Sequence, residues 1–216
     1  SNAFALNRLG LSDTLETGKS ITLGLDYKNE KKNDLDQINN YFELKLATVL
    51  RDKEEKFIPN KSTIHKKNSN LFGSITNKFS NNLDLGYNFS LDNDYSTFEY
   101  NDLNATLSIN NFITKFNFIE EHGETGDTNV MASSFEYNID KKNSFKFQTR
   151  RNRKLSLTEY YDLVYEYKND CLTAGIKYKK SYYADGDLQP TENLLFTISL
   201  FPLTTYEYEA NDILDQ

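Results

Sequence analysis

One cysteine, Cys171, and two histidines, His65 and His122, hold most of the soft chemistry in this chain of 216 residues. Glu120, Glu121, His122 and Glu124 crowd together and offer a cation a mixed oxygen and nitrogen set. His65 stands beside Lys66 and Lys67, which repel a cation, and no second cluster has ligand spacing, so no metal is expected. His122 with Glu120 and Asp127 is also the one place for a hydrolytic base, but no nucleophile, base and orienting group stand in a recognisable arrangement. No catalytic residue and no cofactor is therefore assigned. Asp92 with Asp94, and Asp185 with Asp187, read as turn-formers. The cations Arg150, Arg151, Arg153, Lys154, Lys177, Lys179 and Lys180 suit phosphates or carboxylates, which arginine pairs through two parallel hydrogen bonds. The alternative is a solvated rim with snorkelling stems.

Strands must position these groups. From about Leu71 to Leu203 the chain repeats segments of alternating apolar and polar residues, which puts one set on each face of a sheet. Leu83, Leu85, Tyr87, Phe89 and Leu91 oppose Asp84, Gly86, Asn88 and Ser90; Leu103, Ala105, Leu107 and Ile109 oppose Asn104, Thr106 and Ser108. Phe145 and Phe147 oppose Lys146, Gln148 and Arg150; Leu163, Tyr165 and Tyr167 oppose Asp162, Val164, Glu166 and Lys168. The pattern continues in Leu172, Ala174, Ile176 and Tyr178 and in Leu194, Phe196, Ile198 and Leu200. Short links rich in Asn, Asp or Ser (80–81, 110–111, 140–143 and 169–170) alternate with longer ones (92–101, 120–128, 152–157 and 183–190). Residues 52–70 read as an external loop. This rhythm is that of an up-and-down barrel in an outer membrane, with tight periplasmic turns and longer outer loops. The expected fold is all-β: an antiparallel up-and-down meander of roughly eleven strands, part of a transmembrane β-barrel.

Composition permits this. The mean hydropathy is -0.70, and no apolar run approaches the roughly 20 residues a transmembrane helix needs, yet a barrel needs apolar residues only at alternate positions. Fifteen Tyr and fifteen Phe can supply aromatic girdles at both interfaces. A net charge of -7 argues against nucleic acid as a partner. A soluble β-sandwich also alternates and stands as the structural alternative. Ser1-Asn2-Ala3 reads as a tag remnant; residues 4–203 read as the barrel portion, with a final strand at 191–203, and 204–216 as a C-terminal tail. No signal peptide follows the tag remnant, so the chain is expected to begin inside a longer one.

Three stretches in order carry a resemblance. Asn169 to Tyr178 with Cys171, then Asp185-Gly186-Asp187-Leu188-Gln189-Pro190, then Leu194 to Ile198, resembles the end of the LptD family, the lipopolysaccharide-assembly proteins also called organic solvent tolerance protein or OstA. Asn7-Arg8-Leu9 with Asp13, Glu16 and Gly18, leading into Leu23 to Tyr27, is similar to the family's mid-barrel segment. Ile58-Pro59 followed by Lys67 to Asn70 and Gly73 is similar to its later loop-to-strand junction. The resemblance implies a Gram-negative outer-membrane barrel, without enzymatic activity, that releases lipopolysaccharide sideways between its first and last strands. It implies an LptE-like lipoprotein plug, and a periplasmic LptA-like bridge reached through an N-terminal domain absent from this chain.

The resemblance also suggests roles. Cys171 would form a disulfide to the periplasmic domain, which the oxidising periplasm permits; its alternative is a half-buried thiol. Well-known members carry two adjacent cysteines, whereas residue 170 here is Asp. Arg150, Lys177 and Lys179 would meet lipopolysaccharide, Arg150 and Lys177 from the lumen, with Arg151 and Arg153 near the headgroups. Leu194, Phe196, Ile198, Leu200 and Pro202 would form the lateral gate strand; Pro202 donates no ladder hydrogen bond, which suits an opening edge or a simple strand end. Other functions left open are an outer-membrane barrel enzyme and a soluble β-sandwich binding module. About eleven strands are too few to close the barrel that the resemblance implies. An open sheet, a smaller non-native barrel or an intermolecular sheet is therefore open to the isolated chain.

Overall fold

Period-two alternation and Asn-rich turns give the local structure that they predict. The structure is a computed structural model and describes residues 16–32, 38–79, 82–183, 188–200 and 204–209. Twelve strands follow one another among these residues: β1 (Ser20–Lys32), β2 (Ile38–Arg51), β3 (Leu71–Phe79), β4 (Leu83–Leu91), β5 (Phe98–Ile109), β6 (Phe112–Glu121), β7 (Thr128–Asn138), β8 (Asn143–Asn152), β9 (Leu157–Lys168), β10 (Leu172–Ser181), β11 (Thr191–Leu200) and β12 (Thr204–Glu209). They form one sheet whose order is the chain order, so every sequence neighbour is a sheet neighbour. Two three-residue 3-10 turns, Asn60–Ser62 and Gly123–Thr125, are the remaining regular elements. No helix among the described residues is long and apolar enough to cross a membrane, which says nothing of strands.

The expected links recur where strands end. Asn110 takes φ 51° between β5 and β6, a left-handed conformation that Asn tolerates. Asn169 accepts hydrogen bonds at Oδ1 from the amides of Cys171 and Leu172 and so closes the next tight turn itself. The 80–81 link lies outside the described residues. The segment read as a tail requires a correction: residues 204–209 form β12, and β11 ends at Leu200. Tyr206 and Tyr208 alternate with Thr205 and Glu207, and this pattern pairs Tyr206 with Ile198 and Tyr208 with Phe196. The sheet is thus one strand longer than expected.

Two compact units divide the contacts: Ser1–Ala105 with Phe118–Asn129, and Thr106–Asn117 with Val130–Gln216. In the first, one face of the sheet carries Leu23, Leu25, Leu44, Leu46, Ile75, Tyr87 and Phe89, by the registers of β1 to β4. Gly73 lies opposite Phe89, and a Cβ built on Gly73 would stand 2.0 Å from Phe89 Cζ. The ring therefore lies flat over the glycine and covers its bare backbone. In the second unit, Phe145, Phe147, Leu163, Tyr165, Ile176, Tyr178, Leu194, Phe196 and Ile198 share a face. Rings of Phe112, Phe135, Phe147, Tyr161 and Tyr182 succeed one another on it at 6.1–6.5 Å.

Two outcomes follow from these contacts. Gly73→Ala should lower stability by about 1–3 kcal/mol, the usual cost of overpacking. Phe89→Leu should recover part of that loss in the double mutant, measured by denaturant midpoint; independent, additive losses would contradict the ring-over-glycine packing. In the β7–β8 turn the Asp140 carboxylate accepts from the amides of Lys142 and Asn143 and from Asn143 Nδ2, which holds its pKa below the ordinary aspartate value. A depressed folded pKa stabilises above the unfolded value, and that contribution is lost as pH falls through the folded one. The Asp140 Cγ resonance should accordingly titrate below the ordinary aspartate value; an ordinary or raised midpoint would mean the turn bonds do not persist.

Candidate functional site

The two sheet faces differ in chemistry, and the exposed one is apolar. In the second unit Phe135, Phe145, Leu163, Tyr165, Ile176 and Ile198 are all exposed, at 38–47%. Asp162, on the opposite face, is 6% exposed. The same inversion holds in the first unit, where Leu23, Leu25 and Tyr27 are exposed and Arg51 and Ser90 are buried. A soluble protein does the reverse, because each large apolar side chain gains on the order of 1 kcal/mol or more on leaving water.

Cross-strand register gathers three of the predicted cations of the second unit, Arg150, Lys177 and Lys179, on the polar face. Lys146, Val164 and Lys177 stand in one row, and Gln148, Asp162 and Lys179 in the next. Lys177 Nζ lies 3.2 Å from Asp162 Oδ2, and Asp162 Oδ1 is buried without a partner among the described residues. Lys179 Nζ sits 5.4 Å from the centre of the Tyr160 ring. Arg150 Nε donates to Glu159 Oε2 at 2.8 Å. Arg150, Lys177 and Lys179 therefore share one patch, as expected, but acids that the sequence reading did not single out neutralise two of them.

Residues 52–70 do more than connect β2 to β3. Ala47, Val49 and Phe72 break the polar phase of their strands, and the loop turns Ile58 and Ile64 onto Val49 and Phe72 to make a small core. Backbone bonds pin the loop: Arg51 N–H to Lys67 O at 2.7 Å, Ser69 N–H to Val49 O at 2.9 Å and Glu55 N–H to His65 O at 3.0 Å. The buried Arg51 guanidinium is its hub. Nε donates to Ile64 O, Nη1 donates to Thr17 O at 3.0 Å, and Nη2 pairs with Glu16. Asn70, fully buried, donates to Ser90 Oγ at 2.9 Å and to Glu99 Oε2 at 2.5 Å. The loop is thus a folded cap on the polar face. The out-of-phase apolar residues at 47, 49 and 72 were its sequence signal.

The acidic cluster near His122 is dispersed rather than convergent. Glu121 pairs with Lys61 at 3.6 Å and Glu124 with Lys66 at 3.0 Å, tying the link between β6 and β7 to the folded loop. Glu120 lies 3.3 Å from His122 Nε2 and also accepts from Asn129 and Asn101. Among the described residues no group of three or more His, Cys, Asp or Glu is placed to hold a metal. His65 Nδ1 is buried without a hydrogen-bond partner among them. Asp92 accepts from the amides and hydroxyl of its own turn; Asp185 and Asp187 lie outside the described residues.

Cys171 is free and exposed, beside the Asn169-Asp170 turn. Leu194, Phe196, Ile198 and Leu200 lie on the apolar face of β11, which has a partner on both edges, β10 and β12. Pro202 lies outside the described residues.

No family model matches the chain, and no curated protein matches it. Two solved structures share its general outline. One is a triple mutant of Rh. blastica porin, with 11% identity and a TM-score of 0.49 over 94% of this chain and 88% of that one. The other, described as "Asymmetric conductivity of engineered proteins", gives the same identity, TM-score and coverage. Likeness at this level assigns no function; the faces of the sheet carry the argument.

Arg51→Met should release the folded loop. Removing one partner from a buried ion pair costs about 3–5 kcal/mol, so trypsin should cut at Lys53, Lys56, Lys61 or Lys66 in the folded variant and leave the parent intact. Equal resistance in both would mean that the small apolar core alone holds the loop.

Proposed function

We propose that this chain is part of an LptD-like barrel of the Gram-negative outer membrane, which places lipopolysaccharide in the outer leaflet without catalysing a reaction. The observation that carries the membrane reading is the exposed apolar face opposite a charged, more buried one. Lipid tails solvate such a face at no cost, whereas water does not. The ring succession from Phe112 to Tyr182 fits an interfacial girdle. The lipopolysaccharide reading rests on the ordered motifs that end in the Cys171 strand, and the patch of Arg150, Lys177 and Lys179 suits the charged sugar region of that lipid.

In this reading the acyl chains leave at the β11 end, where β12 covers only part of the edge with six residues. Leu194, Phe196, Ile198 and Leu200 then face the departing lipid. An LptE-like lipoprotein fills the lumen, and an LptA-like bridge delivers lipid through the periplasmic domain to which Cys171 is bonded. Energy comes from outside the barrel, so no catalytic group is needed.

A photo-crosslinking side chain at Lys177 of the intact protein, in its own outer membrane, should capture lipopolysaccharide. The same group at Tyr165, on the apolar face, should capture bulk lipid. Absence of lipopolysaccharide adducts at Lys177, with bulk-lipid adducts at Tyr165, would leave a membrane barrel with another cargo. On a non-reducing gel the native chain should show a reductant-sensitive mobility shift that Cys171→Ser abolishes; no shift in either would remove Cys171 from the assembly step.

A further inference from the structure

We propose that a groove across β1, β2 and β3, on the apolar face and at the end away from the folded loop, seats the phosphodiester headgroup of an anionic glycerophospholipid through Lys31. The groove has a volume of ≈ 190 Å³, and Asn29, Lys31, Phe42, Asn77 and Phe79 are among the residues that line it. Register fixes its face. Tyr27, Leu44 and Ile75 stand in one row of the apolar face; Asn29, Phe42 and Asn77 form the next row, and Lys31, Asn40 and Phe79 the one after. Residues two apart on a strand point the same way, so all three rows share that face. Lys31 lies about 13 Å along β1 from Tyr27, at about 3.3 Å per residue. Over that distance the face changes from aliphatic groups to amides, rings and an ammonium. This order is that of a membrane margin, where rings lie at headgroup level and a long cationic stem runs along apolar surface.

The chemistry of the last two rows selects the ligand. Their six residues hold one cation and no acid. The nearest acids along the strands, Glu30 and Glu43, alternate onto the polar face, where Lys28 and Lys45 each hold one at 2.7 Å. Positive charge therefore meets no carboxylate within these rows. One ammonium matches the single negative charge of a phosphodiester and offers it up to three hydrogen bonds. Asn77, between Phe42 and Leu85 in its row, adds an amide that can donate to a phosphate or ester oxygen. The walls suit the acyl part. The Phe42 ring lies 6.1 Å from that of Tyr27, and Tyr27 and Phe79 are half exposed. A lipid with its phosphate here lays its chains toward Leu44 and Ile75, an apolar wall that a free phosphate ion does not use.

This inference rests on the lipid-embedded reading above, not on its cargo. In the test the intact protein carries a photo-crosslinking phenylalanine analogue at Phe79, or at Leu25 in the apolar band, in bilayers of equal parts phosphatidylglycerol and phosphatidylcholine. At Phe79 the probe should capture the anionic lipid roughly fivefold over the zwitterionic one, the effect of one lysine beside an anionic membrane surface. At Leu25 it should capture the two equally. Lys31→Gln should bring the Phe79 ratio down to that at Leu25. Lys28→Gln, on the polar face, should leave the ratio unchanged, and so should an excess of inorganic phosphate. Equal capture of both lipids at Phe79 in the parent would overturn the proposal. So would a preference that survives Lys31→Gln, or one that inorganic phosphate abolishes, which marks a site for the free ion. Capture at Leu25 without preference at Phe79 overturns this site alone, and absence of lipid adducts at both positions overturns the lipid-embedded reading with it.

Discussion

Continuous backbone pairing makes an exposed apolar face tolerable. Each interior strand satisfies its amides and carbonyls against two neighbours, so the backbone needs no water. The side chains are then free to divide by solvent. Charge, amide and hydroxyl groups gather on one face, where they can pair with one another. Leucine, phenylalanine and tyrosine occupy the other, where many of them are exposed. Turn chemistry, the folded loop and the placement of cations all follow from keeping that division intact along every strand.

The polar face shows how the division is maintained where sequence interrupts it. Val49 and Phe72 put apolar groups on the wrong side, and the loop brings Ile58 and Ile64 to cover them. Arg51 then closes the arrangement with charge and carbonyl contacts that its buried guanidinium requires. On β8 the bulge performs a comparable service for Arg150 by delivering Glu159. Both devices depart from strict alternation, and both give a cation on the polar face its partners, a carbonyl of the loop for Arg51 and a carboxylate for Arg150. Their effect is a surface of matched charges, Arg51 with Glu16 and Arg150 with Glu159.

Most of the fold was legible in the chain itself. Strict alternation in β4, β8, β9, β10 and β11 left one solution for their faces, because a slip of one residue would exchange every side chain between them. Asn110 and the Asn169-Asp170 turn marked links with equal clarity, since few other residues accept those conformations. The last strand was less legible. Tyr206 and Tyr208 alternate over only six residues, and the pairing with β11 that supports them lies beyond a purely local pattern. The candidate site was legible in part: the sequence placed Arg150, Lys177 and Asp162 on the polar face, but not Glu159, and it paired neither cation with its acid.

The sequence by itself determined the strand meander, the chemistry of each face and the positions of the tight turns, because those are set by residues within a few positions of one another. Tertiary structure decided which charges meet. Lys61 reaches Glu121 and Lys66 reaches Glu124 across sixty and fifty-eight positions of chain, and Arg51 joins Thr17 to Ile64. It also decided that residues 52–70 fold back as a cap, and that a single bulge delivers Glu159 to Arg150. Such contacts depend on strand register and loop closure. Many distant sequence pairings compete for them, and only the assembled backbone selects one.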